Sequence, residues 1–460
     1  MKRIGVKQLF FILLINLSIL NASSLSLDEA IELLKQENLE IKSAKLEVKS
    51  AKENAKTASG THWGKLDFIQ DISRSDDAGN VFGFKLSSRE ATFGDFGARE
   101  FMNATGANGG IPPESAYTTP PNDLNYPDSR SYYQSKLKYE LPIFTGFKIS
   151  SYSNIMDSIT KMKSLDKIKL QQEKIYELKK SFYDMALLRT SEKNLNVILS
   201  NINTLEDITN NMIEVGYAKK VDLLEVKAKK GNVERLISQM KSNQELLYHY
   251  ISFLLNQKIT DIQTVSDNVE MPNLSDEEIL NINIDIQRAN NGLIIRENMV
   301  DVEQSAYYPM VGAFGEISTA DNTFLGDAND HKSYTIGARL TWNIFNGGID
   351  AANVEKSRLN LIKTQNQVAL AKSGISLQIK KIRTEINTFN SDIESLEKEL
   401  DLANEIYNNY EGRYKEKLSS MSDVIIKQSE QIQKILQLQL AKNKRNERIF
   451  ALEKLANGDI

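Results

Sequence analysis

Two stretches of the chain, 148–214 and 348–414, contain none of its 8 prolines and carry apolar side chains at helical spacing. In the second, Ile375, Ile379, Ile382, Ile386, Phe389, Ile393, Leu396, Leu400, Ala403, Tyr407, Tyr410 and Tyr414 succeed one another at alternating steps of four and three. A period of about 3.5 residues held over that distance predicts a helix that supercoils left-handed against partners. The first stretch is looser, with Ile175, Leu178, Phe182 and Met185 followed by Leu195, Ile198, Ile202 and Leu205. At about 1.5 Å of rise per residue each helix runs for on the order of 100 Å, more than a compact globular domain holds. Asp392, Glu397, Lys398 and Glu399, between the stripe positions, read as a solvated face. Shorter helices are predicted at 26–58, 219–257, 275–304 and 421–457, the third opening on a capping box of Ser275 and Glu278.

Four segments change to a period of two. In 333–345, Tyr334, Ile336, Ala338, Leu340, Trp342 and Ile344 alternate with Thr335, Arg339, Thr341 and Asn343. In 132–143, Tyr133, Leu137, Tyr139, Leu141 and Ile143 alternate with Gln134, Lys136, Lys138 and Glu140. Weaker alternation marks 63–72, where Leu66, Phe68 and Ile72 share a face, and 307–317. Strands of this length, with aromatics near their ends, suit a tilted bilayer crossing. The same alternation describes a strand in any sheet with one wet face. Between the first two strands, 74–130 is rich in Gly, Asp, Asn and Pro and reads as a long external loop; its counterpart 318–332 is short.

The second half of the chain restates the first. Leu141-Pro142-Ile143-Phe144-Thr145-Gly146 leads into one long helix, and Trp342-Asn343-Ile344-Phe345-Asn346-Gly347 leads into the other. The interval from Phe144 to Asp222 equals that from Phe345 to Asp423, 222 − 144 = 423 − 345 = 78. Upstream, Asn38-Leu39-Glu40-Ile41 echoes Asn283-Ile284-Asp285-Ile286 at an offset of 283 − 38 = 245, which falls to 345 − 144 = 201 at the phenylalanines. The first copy thus carries 245 − 201 = 44 extra residues, and 74–130 contains them. The expected organisation is a first repeat over 25–257, a linker over 258–274 and a second repeat over 275–460.

Composition narrows the function by exclusion. With no cysteine, the chain has no disulfide, thiolate metal site, cysteine nucleophile or lipid-modified cysteine. A formal charge of −4 argues against a nucleic-acid binder. Lys2, Arg3 and Lys7 precede an apolar run from Leu9 to Leu20 and small residues at Ala22, Ser23 and Ser24, so 1–22 reads as a secretory signal cleaved at about 22–24. No other segment approaches a transmembrane helix. The histidines, His62, His249 and His331, have no ligand spacing, and 106–110 lacks the Lys-Ser/Thr of a phosphate loop. No catalytic residue, metal or cofactor is expected, and the chain does not read as an enzyme.

Four strands cannot close a barrel, which takes roughly eight, and an open edge cannot face lipid. If these strands lie in a membrane, several chains must share them, and heptad helices also require partners. The expected object is an oligomeric β-barrel continued by an α-helical barrel. The rival is an exported coiled-coil scaffold without a pore, which leaves the four symmetrically placed strands unexplained.

The duplication, the two strand-end motifs and the Val215-Gly216…Asp222 turn together resemble the TolC-type outer-membrane efflux family over essentially the whole mature chain. The resemblance implies a mixed, mainly α fold: a homotrimer whose 12-stranded outer-membrane barrel takes four strands per chain and continues as a periplasmic coiled-coil barrel. It implies an exit duct for a tripartite pump or a type I secretion system, opened by a periplasmic adaptor and an inner-membrane pump. It carries the strand-to-helix motifs onto Pro142, Phe144, Gly146, Trp342, Phe345 and Gly347. The adaptor contact falls on the turns Val215, Gly216, Tyr217, Lys417 and Leu418. The periplasmic gate falls on Asp222, Tyr414 and Asp423, with a Tyr414–Asp222 hydrogen bond and a ring of Asp423. The family glycine is Lys417 here, and positions that hold an arginine or a further acid in some members are Ser419 and Ile426. The same aspartates also suit helix N-termini as caps.

Overall fold

The computed structural model describes residues 24–105, 111–266, 269–324, 326 and 328–457; the signal segment 1–22 and the glycine-rich 106–110 lie outside them. The chain falls into two compact units, one of segments 1–50, 161–292 and 365–460 and the other of 51–160 and 293–364. Among the described residues no helix is long and apolar enough to cross a membrane.

The first unit is helical. It holds the long helices α7 (Lys148–Glu214) from 161 onward and α11 (Ile349–Lys415) from 365 onward, and each is followed by a return helix, α8 (Lys220–Leu255) and α12 (Met421–Leu455). The stripe on α11 is the buried seam. Ile375, Ile379, Ile382 and Ile386 pack with Ile449 and Phe450, Ile393 packs with Leu438 and Ala441, and Tyr407 and Tyr414 pack with Val226, Val233, Met421 and Val424.

Two helices that read as continuous in the sequence are each broken once. The first is α1 (Leu27–Glu37) and α2 (Leu39–Gly60); the second is α9 (Asp276–Ile282) and α10 (Ile284–Gln304). A buried asparagine makes each break. Asn38 Nδ2 donates to the Leu254 carbonyl at 2.9 Å, and its Oδ1 accepts from the Ile41 amide at 3.0 Å. Asn283 Nδ2 donates to the Leu455 carbonyl at 3.0 Å, and its Oδ1 accepts from the Ile286 amide at 3.2 Å. Each side chain caps the new helix and binds an otherwise orphaned carbonyl at the end of a return helix. The two sequence offsets meet in this joint: the asparagines are 283 − 38 = 245 apart and the carbonyls 455 − 254 = 201 apart.

The second unit holds one antiparallel sheet of β1 (Lys65–Ser75), β2 (Arg130–Phe144), β3 (Met310–Asp321) and β4 (Lys332–Thr341) in that order. β1 starts two residues later than its alternation suggests because Gly64, at φ +72°, turns the chain where a Cβ would strike the Glu140 carbonyl. β4 stops at Thr341 instead of reaching 345 because its partner β3 begins at Met310, directly opposite. The segment 74–130 is not a bare loop. It folds into α3 (Ala78–Ser87), α4 (Ala98–Thr105), α5 (Glu114–Thr118) and α6 (Asn122–Asn125). Phe84 stacks on Tyr132 of β2 at 4.2 Å between centroids, and Arg130 pairs with Glu90, which ties the insert to the sheet. Its many turn residues mask these short helices in the sequence.

Candidate functional site

Cross-strand pairing sorts the sheet into two chemically different faces. Leu66, Tyr139, Gly315 and Ile336 form one row, Phe68, Leu137, Ile317 and Tyr334 the next, and Leu141, Ala313 and Ala338 a third. Paired residues project to the same side, so this face is an apolar band. It is bare within the chain: Phe68 is 69% exposed and Ile336 80%. The opposite face collects Asp67, Asp71, Glu140 and Glu316 with Lys65, Lys136, Lys138 and Arg339, a balanced set. Lys65 pairs with Asp67 at 2.8 Å, Lys138 with Glu140 at 2.6 Å and Lys136 with Asp71 at 3.4 Å. Among the described residues, the edges β1 and β4 have no further strand to pair with.

The strand-to-helix motifs are built for close approach in the first repeat and open in the second. Pro142 and Phe144 flank a register shift against β3. Gly146 has φ +62°, and a Cβ there would lie 2.7 Å from the Ser305 carbonyl oxygen. Phe144, Phe147 and Tyr308 meet edge to face, with centroids 5.4 to 6.4 Å apart. Gly347, at φ +56°, has nothing within 4 Å of its would-be Cβ. Trp342 Nε1 donates to the Tyr307 carbonyl at 3.2 Å, and Phe345 is exposed.

The tip of the helical unit is made by the two turns between long and return helices, and they have the same geometry. In the first, the Gly216 amide donates to Ile213 at 3.0 Å and the Tyr217 amide to Met212 at 2.8 Å. In the second, the Lys417 amide donates to Tyr414 at 3.0 Å and the Leu418 amide to Arg413 at 2.8 Å. These paired bonds close a helix through a left-handed residue, Gly216 at φ +78° and Lys417 at φ +63°. Val215, Tyr217 and Leu418 are exposed.

Both aspartates cap the returning helices. Asp222 Oδ2 accepts from the Lys219 amide at 2.8 Å. Asp423 Oδ2 accepts from the Ser420 hydroxyl at 2.6 Å and the Ser420 amide at 3.2 Å, and these bonds, the hydroxyl's first, hold its carboxyl below the usual range. Tyr414 is buried, and burial raises its phenol above the ordinary value, with the Asp222 charge adding to the rise. Its hydroxyl faces Thr209 Oγ1 at 3.5 Å rather than Asp222. Because the Thr209 hydroxyl donates to the Leu205 carbonyl at 2.7 Å, its oxygen is left to accept from Tyr414. Sequence reasoning missed Thr209, which had no signal beyond lying near the foot of a stripe. The turn motifs were legible; the partner of Tyr414 was not.

A duplicated chain that pairs a two-faced four-stranded sheet with heptad-packed hairpin helices has the fold of TolC-type channel proteins. Residues 277–458 match the family described as outer membrane efflux protein. The chain is 22% identical over 356 residues to Nodulation protein T of Rhizobium leguminosarum bv. viciae, which covers 71% of each. Its fold is similar to that of CusC, with a TM-score of 0.76 and 14% identity over 94% of this chain and 91% of that one. It is similar to the outer membrane protein VceC of Vibrio cholerae, at TM-score 0.74 and 14% identity over 94% and 96%. It is also similar to the CmeC outer membrane channel of Campylobacter jejuni, at TM-score 0.71 and 15% identity over 94% and 85%. The family match thus falls on the second repeat, and the likeness in fold extends over nearly the whole chain.

Proposed function

We propose that the chain is the outer-membrane duct of a tripartite efflux pump or a type I secretion system. The observation that carries this reading is the sheet: one face an exposed apolar band, the other charged, and, among the described residues, neither edge paired. Three chains contribute twelve strands to one barrel, β1 of each pairing with β4 of the next, so that no edge meets lipid. The apolar face meets the outer-membrane lipid and the charged face lines the lumen. The helical unit extends into the periplasm as a coiled-coil tunnel. Its turns at Val215, Gly216, Tyr217, Lys417 and Leu418 contact an adaptor that links the duct to an inner-membrane pump. The narrow end is lined by Asp423 in three copies, while Asp222 caps the first returning helix and Tyr414 packs in the seam. A balanced lumen and a passive route leave cargo choice to the pump.

Reconstitution in planar bilayers tests the reading. Wild-type protein should give a low-conductance, cation-preferring channel, because three confined carboxylates concentrate cations. Asp423→Ala should lower that preference, most clearly at low salt where screening is weakest. A protein that never conducts, or whose selectivity ignores Asp423, rejects the duct or its proposed gate respectively.

A further inference from the structure

At the tip, the residue that breaks the repeat's own rule is also the one that joins its two copies. Gly216 and Lys417 are 417 − 216 = 201 apart and take the same left-handed place in their turns. Glycine occupies that place without penalty, whereas a lysine there is strained. The Lys417 side chain leaves its own turn and sets its ammonium 3.3 Å from the centroid of the Tyr217 ring, on the other turn. Tyr217 is itself the repeat counterpart of Leu418, so the second copy has no ring to offer in return. Both residues are exposed, which leaves the contact outside the apolar packing of the seam. The expected Tyr414–Asp222 bond, by contrast, is not made within the chain: each partner is engaged elsewhere.

We propose that Lys417 and Tyr217 form a tie between the two turns of one chain, and that it holds the two helical hairpins together at their tips while the protein rests. Lys417 is a positioning residue: it supplies a cation to a face of the ring that solvent would otherwise cover. The role in gating rests on the duct reading above; the tie itself does not. An exposed cation–π contact shifts an open–closed balance by about two- to five-fold. Three ties released together multiply to roughly ten- to a hundred-fold.

The test separates the tie from the duct. The chain has no cysteine, so Ala218→Cys and Glu416→Cys accept spin labels without background. In detergent-purified full-length protein the label-to-label distance distribution should be narrow. Lys417→Met keeps the stem and the strained backbone and should broaden it, as should Tyr217→Leu. The double variant should broaden it no further than either single, because one contact is lost in all three. Tyr217→Phe keeps the ring and should keep the narrow distribution. Lys417→Gly relieves the backbone and should broaden the distribution without lowering the melting temperature. In bilayers, Lys417→Met and Tyr217→Leu should raise open probability by the factors above. Distributions unchanged in both single variants overturn the tie. Broadening in a protein that never conducts supports the tie and rejects the duct.

Discussion

Gly146 and Gly347 occupy the same place in the two repeats, yet substitution should treat them differently. Both have positive φ, so a Cβ strains either backbone by about 1 kcal/mol. At Gly146 the Cβ would also press to 2.7 Å from a backbone oxygen that cannot swing aside. Gly146→Ala should therefore lose about 3 kcal/mol or fail to yield folded protein, while Gly347→Ala should lose about 1 kcal/mol; thermal melts of the pair decide it, and equal losses would mean the first repeat relaxes freely. The sequence made both glycines legible as motif positions because they keep register with Phe144 and Phe345. It could not distinguish them, because the atom that matters at Gly146 belongs to Ser305, 305 − 146 = 159 residues away. The same holds for Tyr414. Its place at the foot of the stripe could be read, but the orientation of its hydroxyl toward Thr209 depends on how α7 and α11 are rotated against each other.

Among the elements, the seam of α11 is where pattern and packing agree most closely. Ile386 is 1% exposed, and Ile386→Asp would strand a carboxylate in that seam at a cost of about 3–5 kcal/mol. Glu397 lies on the wet side, paired with Lys442 at 3.0 Å with its side chain 51% exposed, so Glu397→Gln should cost under about 1 kcal/mol. Similar melting temperatures for the two variants would refute the seam. The asparagine joints carry a parallel expectation. Asn38→Ala and Asn283→Ala each remove a cap and leave a buried carbonyl unpaired, and each should cost about 1–3 kcal/mol, by similar amounts. A marked difference in denaturant midpoint would show that the repeats are not equivalent there. The echo at offset 245 was visible in the sequence, but its meaning as a break was not, since a lone asparagine lowers helix propensity only slightly. Acid should loosen the caps. Glu29 and Asp423 are held below their ordinary values of 4.5 and 3.8, first by the hydroxyls of Ser26 and Ser420 and then by the backbone amides of the same serines. Folded values below unfolded ones give stability that is present above the ordinary values and lost as pH falls through the folded ones. Helix content followed by circular dichroism between about pH 5 and 3 should thus fall less steeply in Asp423→Asn.

For the whole molecule, the unpaired edges of the sheet decide what the protein must become. Among the described residues no further strand pairs with β1 or β4, so a lone chain leaves the outer backbone groups of both edges without a ladder and Phe68, Tyr334 and Ile336 open to solvent. In hydrocarbon each unpaired backbone group costs several kcal/mol, far more than a domain's net stability when counted along two strands. A monomer is therefore not a stable state of this chain in a membrane, and the twelve-stranded barrel proposed above takes three chains of four strands. Detergent-extracted protein should sediment as a trimer at micromolar concentration and stay with the outer membrane on Sarkosyl fractionation. Placing proline at Tyr334, in the middle of the edge strand β4, should remove a backbone donor and distort that edge while leaving the helical unit intact. Helix content by circular dichroism should then survive while the trimer is lost. A Tyr334→Pro variant that still sediments as a trimer would mean that β4 is not the joining edge and that the helices alone hold the assembly, which is the scaffold alternative in its strongest form.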